Sequence, residues 1–146
     1  DALSDLTAAA EQASRSGSQA LETWVELRTA RVLVEEGRTG RARKTLERLR
    51  QLAGESPRRE VEQQIEFITG MLQEREGRLD KARALYERSL ALATEAGASD
   101  EAADCHRRLA EIDRNAGRVE EAQRHLDEAE RLAASGTASR AGPATG

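Results

Sequence analysis

The feature that most constrains this chain is a sequence repeat with a period of 40 residues. Gly-Arg pairs begin at positions 37, 77 and 117, and an alanine follows each glycine five residues later. Two further columns share this spacing: the Leu-Ala pairs that begin at 52, 92 and 132, and the acidic residues at 47, 87 and 127. A repeat of this length predicts a stack of similar units, each of which buries its apolar side against the next.

Each unit is predicted to be a pair of helices joined by a tight turn. The first helices are expected over 20–36, 60–76 and 100–116, where apolar residues seven positions apart share one stripe. The glycine then ends the helix, because it takes the left-handed conformation at little steric cost. The second helices are expected over 40–53, 80–95 and 119–133. The predicted buried columns are Val25/Ile65/Cys105 and Val32/Leu72/Ile112, and the predicted crossing columns are Ala30/Gly70/Ala110 and Ala42/Ala82/Ala122.

The N-terminal residues fit the same register. A shift of 80 residues places Ala2 under Ala82 and Leu6 under Tyr86, so 2–15 reads as the second helix of an earlier unit. The predicted fold is therefore all-α, an α-α superhelix of about three and a half repeats over residues 1–134. The half repeat covers 2–15, the full repeats cover 17–56, 57–96 and 97–136, and 135–146 has the composition of a flexible tail. The half repeat and the start at Asp1 predict a part of a larger protein.

Four features of the repeat resemble the tetratricopeptide-repeat family. They are a small residue in the first helix (Gly70), the turn glycine (Gly77), the alanine five residues later (Ala82) and an aromatic or leucine four beyond it (Tyr86). The period exceeds the family's usual length of about 34 residues. It is similar to the long repeats of kinesin light chain, polarity scaffolds and bacterial transcription activators related to the maltose regulator. The best-matching stretch is 77–133.

The resemblance implies that the first helices line a concave groove that binds a partner. The only Trp, Phe and Met of the chain, Trp24, Phe67 and Met71, fall in groove columns, and Trp and Met are favoured at binding surfaces. The alternative is that Trp24 and Phe67 wedge between successive first helices without meeting a ligand. The candidate partner-binding residues are Trp24, Leu27, Arg31, Phe67, Met71, Arg75, Arg107, Glu111 and Arg114, of which Arg107 and Arg114 are expected to contact acidic groups.

The remaining reactive residues favour structural roles. Cys105 shares a column with Val25 and Ile65, which indicates a small buried hydrophobe. His106 and His125 lie on different predicted helices without metal-ligand spacing, so they are expected to be surface or boundary residues. Paired carboxylates do not rise above the solvated background of amphipathic helices. We therefore predict no enzymatic activity, no metal and no cofactor.

The predicted function is a protein–protein interaction module that binds a peptide or protein in the groove, as part of a larger protein. The alternative is a regulatory sensor or self-association segment of a multidomain signalling protein, such as a transcription activator or an effector protease or kinase. A net charge of −4 gives no electrostatic reason for direct nucleic-acid binding. The sequence also lacks an apolar run of membrane-spanning length, and a cytoplasmic location is expected.

Overall fold

The computed structural model describes residues 1–141, with side chains to residue 136, and these residues form seven helices without a strand. This confirms the predicted all-α repeat fold. Within the described part of the chain, no helix combines the length and apolar character needed to cross a bilayer. The helices are α1 (Ala2–Ser16), α2 (Gln19–Glu35), α3 (Thr39–Glu55), α4 (Arg59–Arg75), α5 (Leu79–Glu95), α6 (Ser99–Asn115) and α7 (Val119–Ala141).

The helices follow the 40-residue period of the sequence. The first helices of the three pairs start at residues 19, 59 and 99, and the second helices start at 39, 79 and 119. At the turn of the first pair, Gly37 has a φ of 77°, a left-handed conformation that residues with a side chain rarely adopt. The N–H of Arg38 then donates to the carbonyl of Leu33 at 2.8 Å and closes the turn. The pairs α2–α3, α4–α5 and α6–α7 are called the first, second and third repeats below.

The helix crossings are packed around small residues. Ala30, Ala42 and Ala82 are fully buried. At the crossing of the second repeat, a Cβ added to Gly70 would lie 2.8 Å from Cε1 of Tyr86. Tyr86 is itself fully buried, and its hydroxyl donates to Glu74 at 2.7 Å. The absence of a side chain at Gly70 therefore makes room for the aromatic ring.

Ion pairs at equivalent positions tie the two helices of a repeat together. In the first repeat, Arg48 of α3 contacts Glu26 of α2 at 3.0 Å. In the second repeat, Arg88 of α5 lies 3.8 Å from Glu66 of α4. Each arginine stands 22 residues after its glutamate, so the pairing repeats with the period of the chain. The third repeat has His106 and Glu128 at these positions.

The structure differs from the predicted core at one column. Leu72 and Ile112 are buried, but Val32 is only half-buried, and Leu33 and Val34 are buried in its place. The second and third repeats have Gln73 and Asp113 where the first has Leu33. At this level α2 therefore buries Leu33 and Val34, whereas α6 buries Ile112 together with Asp113.

The last helix is longer than the sequence predicted. α7 continues past residue 133 to Ala141, although Ser, Gly and Thr are weak helix formers. A Cβ added to Gly136 would lie 3.0 Å from Oδ1 of Asp100, so this part of α7 passes close to the start of α6. Packing against α6 offsets the low helix propensity. The tail predicted at 135–146 is thus helical as far as 141, and its last five residues lie outside the described part of the chain.

Candidate partner-binding face

A cleft of about 480 Å³ opens beside the N-terminal half of α2. We call it the Trp24 cleft. Three neighbouring helices and the start of a fourth contribute to it, because the N-terminal ends of the first helices lie next to the C-terminal end of α5. Its apolar lining comes from Ala20, Trp24, Leu27, Val61, Leu92 and Ala96, and its charged rim from Arg28, Arg58, Arg59, Glu60 and Glu101.

Trp24 is the most accessible aromatic residue of this cleft. Its side chain is 52% exposed, whereas its neighbour Val25 faces the core. Successive helical residues point about 100° apart, so a buried Val25 turns Trp24 away from the core. The guanidinium carbon of Arg28, one turn later, lies 5.5 Å from the Trp24 ring centroid. This distance suits a cation–π contact, and the arginine holds the indole in place at the cleft.

Phe67 and Met71 do not form the exposed patch that the sequence predicted. Phe67 is 4% exposed and Met71 is also buried. The Phe67 ring packs against Tyr86 with a centroid separation of 5.4 Å. The guanidinium carbons of Arg31 and Arg108 each lie 5.7 Å from the same ring. Phe67 therefore fits the alternative in which it wedges between successive first helices, because α4 is the middle first helix and neighbours cover it on both sides.

The other predicted residues are spread along the first helices. Leu27 lines the Trp24 cleft. Arg31 pairs with Glu35 at 3.0 Å. Arg75 is exposed and lines a second, smaller cleft together with the buried Met71. The predicted residues therefore do not form one contiguous patch.

The charged residues that the sequence predicted in the third repeat do not line either of these clefts. Arg107 is exposed and pairs with Asp104 of its own helix at 2.7 Å. Glu111 and Arg114 are exposed. Arg114 stays a candidate for contact with an acidic group, whereas Arg107 would first have to leave Asp104.

Sequence reasoning missed several residues that the structure places at these clefts. Arg28, Arg58 and Leu92 line the Trp24 cleft, and Arg108 lines the smaller one. One signal was present for Arg28, which stands one helical turn after Trp24. Leu92 lies on a second helix and reaches the cleft only because α5 ends beside the start of α4, which a column-by-column reading does not reveal.

The comparison with known families agrees with this architecture. A sequence model of the tetratricopeptide repeat matches residues 70–135. Over these residues the chain has the tetratricopeptide-repeat pattern. The match runs from the second half of α4 into α7, and the same period extends the pattern to the first repeat. A search of curated proteins finds no match to the chain.

Tetratricopeptide repeats are in general protein-interaction modules and not a catalytic type of domain. The surroundings of Cys105 are consistent with a non-catalytic domain. Its thiol is fully buried and lies 3.4 Å from the Ser89 hydroxyl. Burial raises the pKa of this thiol to about 11, so the reactive thiolate is disfavoured at neutral pH.

The two histidines of the third tetratricopeptide repeat are in contact, which the sequence did not predict. Nδ1 of His106 on α6 lies 2.8 Å from Nδ1 of His125 on α7. The ring centroids are 5.1 Å apart, a separation close to the N–N distance plus the two ring radii. The two nitrogens thus face each other head-on, and their lone pairs do not converge on a common metal position. Among the described residues, no cluster of three or more His, Cys, Asp or Glu could hold a metal ion.

A buried carboxylate lies next to this pair. Asp113 is 1% exposed, and its Oδ1 accepts hydrogen bonds from Arg83 of α5 and from Nε of Arg118, the latter at 2.9 Å. Its Oδ2 is buried and has no hydrogen-bond partner among the described residues. Nε2 of His125 lies 3.6 Å from this oxygen, which is too long for a hydrogen bond but short enough for an ion pair.

Proposed function

We propose that the face formed by the first helices binds a peptide or protein partner, and that the Trp24 cleft receives an apolar side chain of that partner. One observation carries the proposal: the single tryptophan of the chain is half-exposed beside a cleft of about 480 Å³. Clefts of about this volume are typical of ligand sites. The chain is poor in aromatic residues, so an exposed indole at a cleft indicates a binding site more strongly than it would in a chain rich in aromatic residues.

The expected contribution of the indole follows from its area. An aromatic side chain buries roughly 150–250 Å², and about half of the Trp24 side chain is still accessible. Covering that half corresponds to roughly 2–3 kcal/mol at about 25 cal/mol per Å². Leu27 and Leu92 extend the apolar floor, so an aliphatic or aromatic side chain fits beside the indole.

The rim of the cleft carries both signs of charge. Arg59 already pairs with Glu95 at 2.5 Å, and Arg28 stacks on Trp24. Glu60 and Glu101 also lie on the rim. Since the rim charges are mixed, we expect the apolar anchor to decide affinity, and the charged groups to set the orientation of the bound segment.

A second candidate function is self-association, which would suit a regulatory segment of a multidomain signalling protein. Leu79 and Val119 begin α5 and α7 at equivalent positions, and they are 42% and 68% exposed. Exposed apolar residues that recur at one edge of a repeat stack form a ridge that another copy could cover. These residues do not line the Trp24 cleft, so variants can separate the two functions.

The test uses peptides selected from a displayed random library on the immobilised chain. In the parent chain the fluorescence of Trp24 reports binding directly, because the chain has a single tryptophan. We expect Trp24→Ala to weaken the selected peptides at least about tenfold, since the lost area corresponds to more than 1.4 kcal/mol. Val119→Ala is the matched control, an exposed apolar residue outside the cleft, and should leave affinity within about twofold.

Two results would contradict partner binding at the Trp24 cleft. Peptides that bind Trp24→Ala as tightly as the parent would place the site elsewhere. A library that yields no peptide, together with a dimer in sedimentation experiments that Leu79→Ala and Val119→Ala dissociate, would favour self-association instead.

A further inference from the structure

The contact between His106 and His125 is a hydrogen bond between their Nδ1 atoms, and it requires that one of the two nitrogens carry the hydrogen. An imidazole Nδ1 is a donor when it carries hydrogen and an acceptor when it does not. At 2.8 Å the two Nδ1 atoms are at hydrogen-bond distance, so one of them carries hydrogen and the other does not. The pair can accommodate one arrangement or its reverse, but it cannot accommodate hydrogen on both nitrogens.

The unpaired oxygen of Asp113 decides which arrangement holds when both rings are neutral. Hydrogen on Nε2 of His125 points toward Oδ2 of Asp113, 3.6 Å away, which is attractive. Hydrogen on Nδ1 of His125 would leave a bare Nε2 facing the carboxylate, which is repulsive. The neutral pair therefore has hydrogen on Nδ1 of His106, which donates to Nδ1 of His125.

We propose that His106, His125 and Asp113 form a proton-operated switch that holds α7 on α6 with one bound proton and releases it with two. The first proton enters at Nε2 of His106, and the hydrogen on Nδ1 of His106 passes to Nδ1 of His125. His125 is then the charged ring. Its Nδ1–H donates to His106, and its Nε2–H faces the buried Oδ2 of Asp113 at ion-pair distance. Each hydrogen of the charged His125 ring then faces an acceptor atom.

The second proton breaks the arrangement. It places hydrogen on Nδ1 of His106 opposite the Nδ1–H of His125, so that two donors and two positive charges face each other. Burial, followed by the charge of protonated His125, lowers the pKa of His106 from its usual 6.5. A histidine with a lower pKa in the folded state contributes stability that is present above about pH 6.5 and is lost as the pH falls through the folded value.

The other charged groups around the histidine pair leave the second protonation as the step that weakens the contact between α6 and α7. Arg83 of α5 and Arg118 before α7 already neutralise Asp113. On α7, Glu128 favours the charged form of His106 and Arg131 opposes it, and these two side chains also pair with each other. None of these groups titrates near neutral pH at its ordinary value, so the histidines are the groups that respond.

Comparison of the repeats supports a role for this cluster. In the first and second repeats an arginine of the second helix pairs with a glutamate of the first, as in Glu26–Arg48 and Glu66–Arg88. In the third repeat the glutamate of the first helix is replaced by His106. A contact that does not depend on histidine protonation is thus replaced by one that does.

The first test follows the imidazole nitrogens by long-range ¹H–¹⁵N correlation between about pH 8 and pH 5, the range in which histidine titrates. We expect the pair to titrate in two separate steps. In the first step His125 gains hydrogen on both nitrogens, while His106 stays neutral and its hydrogen moves from Nδ1 to Nε2. Two rings that titrate independently, without this tautomer change, would overturn the proposal.

The second test measures amide hydrogen exchange in α7 relative to α5 over the same range. In the parent chain the relative protection of α7 should hold through the first step. It should then fall by up to about tenfold per pH unit, as expected for uptake of one proton. His106→Gln keeps an acceptor for His125 but takes no second proton, so α7 should stay protected at the lower pH.

His125→Leu is a second variant, with the residue that the second repeat has at the equivalent position, Leu85. It removes the facing donor and its positive charge, so the fall of α7 protection at lower pH should be smaller than in the parent. Loss of α7 protection in His106→Gln that matches the parent would show that the histidine pair does not control α7. If circular dichroism shows that one variant is unfolded, the other variant decides.

Discussion

In the second repeat Gly70 lies under the ring of Tyr86, whereas in the third repeat the equivalent positions hold Ala110 and Leu126. Tyr86 is fully buried, but Leu126 is half-buried. The second repeat has neighbours on both sides that enclose a large aromatic ring. The third repeat places the charged Asp113 cluster between its helices instead. The second repeat should therefore respond most to changes of side-chain size, and the third to changes of charge.

The largest effect is expected from a side chain at Gly70. The Cβ of Gly70→Ala would lie 2.8 Å from Tyr86, and the ring has little room to move because it packs on Phe67 and bonds Glu74. Overpacking of this kind costs about 1–3 kcal/mol, and Gly70→Leu should exceed that range. Chemical denaturation monitored by circular dichroism measures the loss.

A compensating variant makes this prediction specific. Gly70→Ala with Tyr86→Leu gives the second repeat the small residue and leucine found in the other two. We expect the double variant to be more stable than the sum of the single effects predicts, because the clash is gone. Strict additivity of the two changes would mean that Gly70 and Tyr86 do not share the close contact described above.

The next largest effect is expected at Asp113. Asp113→Ala removes the common partner of Arg83 and Arg118, and loss of one partner of a buried pair is destabilising. The two arginines are 27% and 48% exposed and can reach water, so we expect about 1–3 kcal/mol, below the cost of losing a fully buried pair. Thermal unfolding at neutral pH measures it.

The control for Asp113 is the equivalent position of the second repeat. Gln73 is only half-buried, and its amide oxygen accepts from Arg78 at 3.4 Å. Gln73→Ala should therefore cost less than about 1 kcal/mol. If both alanine variants lost the same stability, the contrast between the two repeats would be unfounded.

The smallest effect is expected from the ion pair of the first repeat. Arg48 is 59% exposed and its partner Glu26 is 22% exposed, so water and salt screen their attraction. Arg48→Ala should reduce the free energy of unfolding by no more than about 1 kcal/mol, with a smaller difference at high salt. A larger, salt-independent loss would show that Arg48 acts through packing of its aliphatic stem.

The repeat period predicted the helix boundaries closely, because each boundary depends on residues that are close together in the sequence. The glycines at 37, 77 and 117 all have positive φ, and the helices of each repeat begin within one residue of the predicted positions. Helical periodicity and a glycine stop are properties of neighbouring residues in the chain. They do not require knowledge of how the helices pack.

The exposure of the first-helix side chains was harder to predict, because it depends on which faces the neighbouring helices cover. Trp24 and Phe67 both lie on first helices, yet one is half-exposed and the other is buried. The guanidinium groups that cover Phe67 come from α2 and α6, 36 and 41 residues away in the sequence. The contact between His106 and His125 likewise depends on the side-chain directions of two different helices.

The order in which helices contact one another has a consequence for synthesis. The extensive contacts join helices that are adjacent in the chain, or next but one, as with α2 and α4. A ribosome adds about 5–20 residues per second, so a 40-residue repeat takes about 2–8 s to emerge. Contacts this local form in milliseconds or less. Each repeat can therefore pack on the preceding one before the next one is translated, and the Trp24 cleft is completed while α7 is still being made.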